Sequence, residues 1–320
     1  MSRLRIAYFG LPLGACLLQQ DGHDLGLLVL PPVDAPGRRR LARRSPSTRI
    51  LSAAPGLGTE GDHDGFSARV EAALAELEPA LIVSWFWTRR LPARWLSLAR
   101  HGGIGAHPSL LPRHRGPNPY YAAIDAGDHE TGVTIHTLTP EYDEGDVLAT
   151  GSVVIGERDS WQLARALDRP SLALLRETVS AYARGEPPLP RPQAREGVTW
   201  APEPEDDALR VVWSWPTERV LRRIRAVAPV PGLGLEVEGL EIFVTRAVST
   251  ETFPSALEPG EAAVYGEPPR LVLRTGDGAI GVLRAVVPAE DDGPDAVLGP
   301  LDLALTVQRH LSGRDTGGMG

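Results

Sequence analysis

The chain has no lysine at all: its 33 basic side chains are all arginines among 320 residues. Schiff-base formation and lysine acylation are therefore excluded, because both need an ε-amine that can lose its proton. Cysteine is almost as scarce. Cys16 is the sole thiol, which rules out an intrachain disulfide or a multi-thiolate metal centre, and no metal is expected. No apolar run approaches the roughly 20 residues that a bilayer-spanning helix requires. The opening MSRLRIAYFG reads as a strand rather than a secretory leader, so a cytoplasmic protein without membrane contacts is expected. Net charge is −8, an imbalance that argues against broad, sequence-independent binding of nucleic acid while leaving room for a local basic patch.

What is present is ordinary for a soluble globular chain, 42% hydrophobic and 23% charged, and long enough for two domains with separate cores. Arg5 to Phe9 and Leu25 to Leu30 are short apolar runs flanking a helix-compatible stretch, the pattern of a β-α-β unit with buried parallel strands. Phe66 to Leu77 has helical apolar spacing, with Asp64 as N-cap and Pro79 just beyond its end. Ala80 to Trp85 and Ile104 to His107 read as further buried strands. Trp161 to Tyr182 reads as helix interrupted near Pro170, before a proline-rich stretch, Gly185 to Gln193. These signals predict an α/β fold: a parallel-sheet domain over residues 1–190, a linker at 191–205 and a small β-barrel over 206–320. The second domain is read from a helix at Glu218 to Val227, strands at Leu235 to Val248, Ala262 to Tyr265, Leu271 to Arg274 and Ala279 to Val287, and a closing helix at Leu301 to Leu311. A hairpin turn is expected at Thr275-Gly276-Asp277-Gly278.

The chemistry concentrates between His107 and Gly151. His107 ends a strand and is followed by Pro108-Ser109-Leu110-Leu111-Pro112. Thr131-Gly132-Val133-Thr134 comes next, then Asp143-Glu144-Gly145-Asp146. An imidazole titrates near neutrality, so a neighbouring carboxylate can tune it to donate to a developing oxyanion or to relay a proton. Read without that context, the histidine is a structural residue and the acidic turn a set of solvated carboxylates.

This series resembles the folate-dependent formyltransferases, whose pattern runs Asn-x-His-x-Ser-Leu-Leu-Pro, Thr-Gly-Val-Thr and Asp-x-Gly-Asp. Taken whole, the chain most resembles the members that act on methionyl-tRNA. The resemblance covers both halves, including TWAPEP near Trp200 and LRTGDGAIGVL in the second. It implies a formyltransferase-type, Rossmann-like first domain, an OB-like second domain and transfer of a formyl group from 10-formyltetrahydrofolate to an amine. His107 would serve as oxyanion donor and proton relay, with Asp143 orienting and charging it. The Asn position is Gly105, which offers a backbone N–H but no side-chain donor, and loss of one such donor typically lowers a rate roughly 10²–10³-fold. His136 and Asn118 are polar residues that could stand in for it. Both types also occur at these positions in relatives that keep the Asn, so neither is expected to compensate.

By position, the resemblance implies folate contacts at Arg90, Leu91, Ser109, Leu110 and Pro112, with Trp85-Phe86-Trp87 lining a pocket or packing in the core. Acceptor contacts are implied at Asn118 and at Arg38, Arg39 and Arg40. Those three belong to a cluster with Arg43 and Arg44 that could meet tRNA phosphates, a small anionic acceptor or solvent. Glu203 stands where the tRNA-acting pattern usually carries a lysine, a reversal of sign. The acceptor expected first is therefore the amino group of a small metabolite and second is methionyl-tRNA. The alternative outside catalysis is a folate- or ligand-binding homologue that has lost turnover.

Overall fold

The computed structural model describes residues 3–32, 41, 48–52, 65–289 and 293–316. The chain divides into two compact units. One comprises residues 1–119, 130–154 and 165–201; the other comprises 120–129, 155–164 and 202–320.

The first unit is built on a seven-stranded sheet of order β3-β2-β1-β4-β5-β6-β7. Its strands are β1 (Arg5–Gly10), β2 (Asp24–Leu30), β3 (Arg49–Ser52), β4 (Leu81–Trp85), β5 (Gly103–His107), β6 (Glu130–Thr137) and β7 (Val147–Val154). Pairings from β3 through to β5 are parallel, as the continuous apolar runs predict for strands covered on both faces. Every residue of β4 is buried. The edge differs from the all-parallel expectation, because β6 and β7 join antiparallel. Helix α1 (Pro12–Gln20) connects β1 to β2. Helix α2 (Phe66–Leu77) buries Phe66, Val70, Ala73 and Leu74, the stripe that its spacing predicted. Gly65 occupies its N-cap position, and the expected cap Asp64 lies outside the described residues.

Two further helices of the first half are short, α3 (Ala93–Leu96) and α4 (Pro119–Ala126), whereas α5 (Ser160–Arg184) is long and runs unbroken through Pro170. The expected interruption is absent because Leu167, Ser171, Leu175 and Val179, spaced four apart, are all buried. That packing outweighs the one hydrogen bond proline removes. The chain builds outward from β1 to β3 on one side and through β4 on the other. Open α/β sheets place their ligands at such a reversal, outside the carboxyl ends of the strands. β5, which ends at His107, is the strand beside β4.

The second unit is a curled antiparallel sheet packed by α6 (Thr217–Val227) and α7 (Pro300–Thr316). Its strands are β8 (Leu233–Val237), β9 (Leu240–Thr250), β10 (Ala262–Tyr265), β11 (Arg270–Arg274), β12 (Ala279–Val287) and β13 (Ala296–Leu298). The Thr275–Gly278 turn is as expected and is closed by Thr275 N–H donating to the Gly278 carbonyl at 2.9 Å. The single strand expected over Leu235 to Val248 is instead a hairpin. Glu238 and Gly239 both take left-handed φ, 51° and 81°, the geometry a two-residue hairpin turn needs, and a Glu-Gly pair signals it less clearly than Asn-Gly.

Within this unit, Asp125 receives Arg223 Nε at 2.7 Å and Nη2 at 3.1 Å, and Arg219 Nη2 at 3.1 Å. Arg223 also donates to the carbonyls of Ala208 and Arg210 and lies over the rings of Tyr121 and Trp215. Its side chain is only 7% exposed, so its charge depends on Asp125. Asp125→Ala is expected to destabilise this unit by about 3 kcal/mol or more, since removing one partner strands a buried charge. Denaturant midpoints followed by tryptophan fluorescence would measure it; a loss under about 1 kcal/mol would mean that water solvates the guanidinium.

Candidate functional site

His107 enters the site as the last residue of β5, and Asp143 comes from the hairpin loop joining β6 to β7. The loop is pinched shut where Thr137 N–H donates to the Asp146 carbonyl and Asp146 N–H to Thr137 Oγ1, both at 2.9 Å. Gly145 is required there, because a Cβ would lie 1.7 Å from the Thr137 carbonyl oxygen. Asp143 adopts a left-handed φ of 55°, which a non-glycine residue holds only when its surroundings compel it. Gln193 does so. Its Nε2 donates to the carbonyls of Asp143 and Gly145, each at 2.7 Å, while its Oε1 accepts from Arg115 Nε and Nη2 at 3.2 and 2.8 Å.

The Asp143 carboxylate accepts the Gly116 N–H at Oδ2, 2.8 Å away, and the same oxygen lies 3.4 Å from His107 Nδ1. The opposite ring nitrogen of His107, Nε2, is 2.7 Å from the His114 carbonyl. A carbonyl can only accept, so Nε2 carries the hydrogen. The N–H that the resemblance aims at an oxyanion is thus bonded within the protein, and Nδ1 gains a proton only in the imidazolium. Burial holds the His107 pKa below its ordinary value, against the pull of Asp143. His114, the acceptor, is itself left-handed at φ 55°, and its N–H is fixed by Thr199 Oγ1 at 2.8 Å. Backbone bonds from Arg115 to Thr199 and Ala201, and from Asn118 to Ala201, fasten the rest of that loop.

The other expected residues fall into distinct places. Gly105 lies two residues before His107 on the same strand face, and its backbone is outside the left-handed region. Arg90 lies over the Tyr142 ring at 4.8 Å, and the Tyr142 hydroxyl donates to the Thr88 carbonyl at 3.3 Å, so the 88–90 segment is tied beside Asp143. Leu91 is in the core with Phe9 and Trp95. Ser109 is fully buried and donates to the Arg113 carbonyl at 2.6 Å; Thr134 Oγ1 bridges the Ser109 carbonyl and the Leu111 N–H. Leu110 is half-buried, and the Pro112 carbonyl accepts from Thr199 N–H. Trp85 is core, its indole donating to Ser171 at 2.9 Å, whereas Phe86 is exposed and left-handed. Arg38, Arg39, Arg40, Arg43 and Arg44 lie outside the described residues. Sequence reasoning missed Gln193, Arg115 and Thr199, and gave Thr134 no role beyond its motif; all four shape the loops through bonds to residues distant along the chain. Among the described residues, no cluster of metal-binding side chains occurs and no helix is long and apolar enough to cross a membrane.

Comparison with known proteins matches residues 13–177 to the formyl transferase family model and residues 205–291 to the formyl transferase C-terminal domain. The methionyl-tRNA formyltransferase of Ralstonia nicotianae is 32% identical over 304 residues, 90% of this chain and 91% of the relative. HypX from Aquifex aeolicus, solved with tetrahydrofolic acid, shares the fold with a TM-score of 0.61 at 22% identity, covering 94% of this chain and 47% of HypX. The sugar 3N-formyl transferase WlaRD, solved with dTDP and 5-N-formyl-THF, has a TM-score of 0.64 at 10% identity over 87% of this chain and 97% of WlaRD.

Three buried histidines, His23, His107 and His136, have pKa values lowered first of all by burial. The unfolded chain takes up their protons first, near pH 6.5, so their stabilisation is present above that pH and is lost as the pH falls toward the lower folded values. Urea midpoints should therefore drop between pH 7 and 5. In the His107→Gln, His136→Gln double variant that slope should flatten by the two site residues' share. An unchanged slope would show that both imidazoles are solvated.

Proposed function

The chain belongs to the formyl transferase family, and from that premise we propose that it transfers a formyl group from 10-formyltetrahydrofolate to the amino group of a small metabolite in the cytoplasm. The observation that carries this reading is the His107–Asp143 pair, 3.4 Å apart at the carboxyl end of β5. The donor would supply the activated one-carbon group. Residues Phe86 to Leu91 and the loop before Asp143 would hold it, with Leu110 and Pro112 in the loop after His107 and the buried Ser109 bracing that loop from within. They fit a flat heteroaromatic ligand: Phe86 offers an exposed ring, the Trp87 indole N–H is buried without a hydrogen-bond partner, and Arg90 braces Tyr142.

A small acceptor is favoured by the glutamate at 203, where the tRNA-acting pattern has a cation, and by the net charge of −8. Asn118 is the acceptor contact proposed near the site. The second reading, methionyl-tRNA as acceptor, is favoured by the 32% identity to a methionyl-tRNA formyltransferase along almost the whole chain. Arg38, Arg39 and Arg40 would then meet phosphates. A homologue that binds folate without turnover is the reading outside catalysis.

Calorimetry with 5-formyltetrahydrofolate, a stable folate, tests the ligand class, and formyl transfer to methionyl-tRNA against a panel of small amines tests the acceptor. Transfer to a small amine, with none to the tRNA, is the expected outcome. If the tRNA is formylated, and Arg38, Arg39 and Arg40 changed together to Ala lower both the rate and its salt dependence, the second reading replaces the first. Folate binding without transfer to anything leaves the third.

A further inference from the structure

The missing side chain at 105 uncovers a different group. In the β5–β6 ladder Gly105 is directly opposite His136, between the pairs Ile104–Thr137 and Ala106–Ile135. Residues opposite each other across a ladder share a face, as do residues two apart along one strand. Gly105, His107, Thr134 and His136 therefore all stand on the site face. A Cβ added at Gly105 would lie 3.5 Å from His136 Nε2 and 2.8 Å from Leu138 Cδ2, so any side chain there lies against that nitrogen. Glycine puts no side chain of its own there; Leu138 packs beside it, and His136 is 3% exposed.

The state of His136 is fixed from its far side. Its Nδ1 is 2.9 Å from the Thr137 carbonyl, an obligate acceptor, so Nδ1 carries the hydrogen and Nε2 of the neutral ring is a lone pair. The polar neighbour of Nε2 is Asp143 Oδ1 at 3.7 Å, while the other carboxylate oxygen faces His107. Burial is the main influence keeping the ring neutral; Asp143 and the Thr137 carbonyl oppose it, while a proton on His107 and the Arg115 charge work with burial. A neutral imidazole of locked tautomer, its Nε2 lone pair beside Gly105 and a carboxylate placed to steady it once protonated, has the parts of a general base. His107 is less free, with Nε2–H on the His114 carbonyl and Nδ1 closer to the carboxylate.

We propose that His136 is a further catalytic residue, the proton acceptor of the transfer. The proposal rests on the formyl-transfer reading. His136 Nε2 takes the proton that the acceptor amine sheds as its nitrogen bonds to the formyl carbon. It returns that proton to the donor nitrogen as the old carbon–nitrogen bond breaks and its electron pair passes to that nitrogen. One C–N bond forms, one breaks, and no proton or electron is gained or lost. Asp143 stabilises the imidazolium in between.

Two measurements test this. The first needs no turnover: 15N NMR of the histidine rings should show His136 as the Nδ1–H tautomer, and Asp143→Asn should lower its titration midpoint by removing the carboxylate's pull. An Nε2–H tautomer overturns the proposal. The second is a cycle of His136→Gln and Gly105→Asn on whichever amine the unaltered protein formylates. Alone, His136→Gln should lower kcat by about 10²–10⁴-fold, the usual contribution of a positioned base, and remove the fall in kcat on the acid side, with folate affinity held within about twofold. In the Gly105→Asn background, where the new side chain covers Nε2, His136→Gln should cost less than about tenfold. Equal losses in both backgrounds, or a folded His136→Gln protein with unchanged kcat and pH profile, overturn the assignment. No transfer by the unaltered protein overturns the formyl-transfer reading and this proposal together; transfer indifferent to His136 overturns the proposal alone.

Discussion

The site depends on keeping one carboxylate, that of Asp143, stationary in a loop whose backbone is twisted into a left-handed turn. Buried charge is unfavourable unless hydrogen bonds and counter-charges surround it. Here a backbone N–H from Gly116 supplies a hydrogen bond, and His107 and His136 lie beside the two oxygens, each able to become a counter-charge once protonated. The turn itself is fixed by the Gln193 amide, whose two short bonds to main-chain carbonyls leave the loop little freedom to relax. Moving that carboxylate by an ångström would change its spacing to both histidines at once.

Left-handed backbone gathers around the same place. Of the five described non-glycine residues with positive φ, Phe86 directly follows β4, His114 accepts from His107 and Asp143 carries the carboxylate. Such conformations are each unfavourable by roughly 1–3 kcal/mol and persist where packing and hydrogen bonds over-determine them. The sheet supplies rigidity beneath, and loops stitched by Thr134, Thr199 and Gln193 supply the aim. A site built this way is fixed before any ligand arrives.

What could be read from the sequence was whatever left a local pattern. The buried strands, the helical stripe of Phe66 to Leu77 and the Thr275–Gly278 turn follow from spacing and turn chemistry. His107 and Asp143 stood out because whole loops accompany them. The antiparallel edge strand β7 was not legible: half-exposed and alternating, it carries no continuous apolar run. Nor was the partner of Gly105, because strand register is set across space rather than along the chain. His136 was visible as a residue and invisible as a neighbour. Gln193, in a proline-rich stretch, read as part of a connection, since a side chain that bonds backbone carbonyls fifty positions away has no sequence signature.

That placement of Gln193 also sets an order of events. A chain emerges amino end first, and His107 and Asp143 leave the ribosome long before the residues that hold their loops in place. Until Gln193, Thr199 and Ala201 have followed, the Asp143 loop lacks its clamp and the 114–118 loop lacks its edge partner. The sheet can form from residues already outside, yet the end that carries His107 stays unset for another half-hundred residues of synthesis. Completion of the site is thereby tied to arrival of the segment that leads into the second unit.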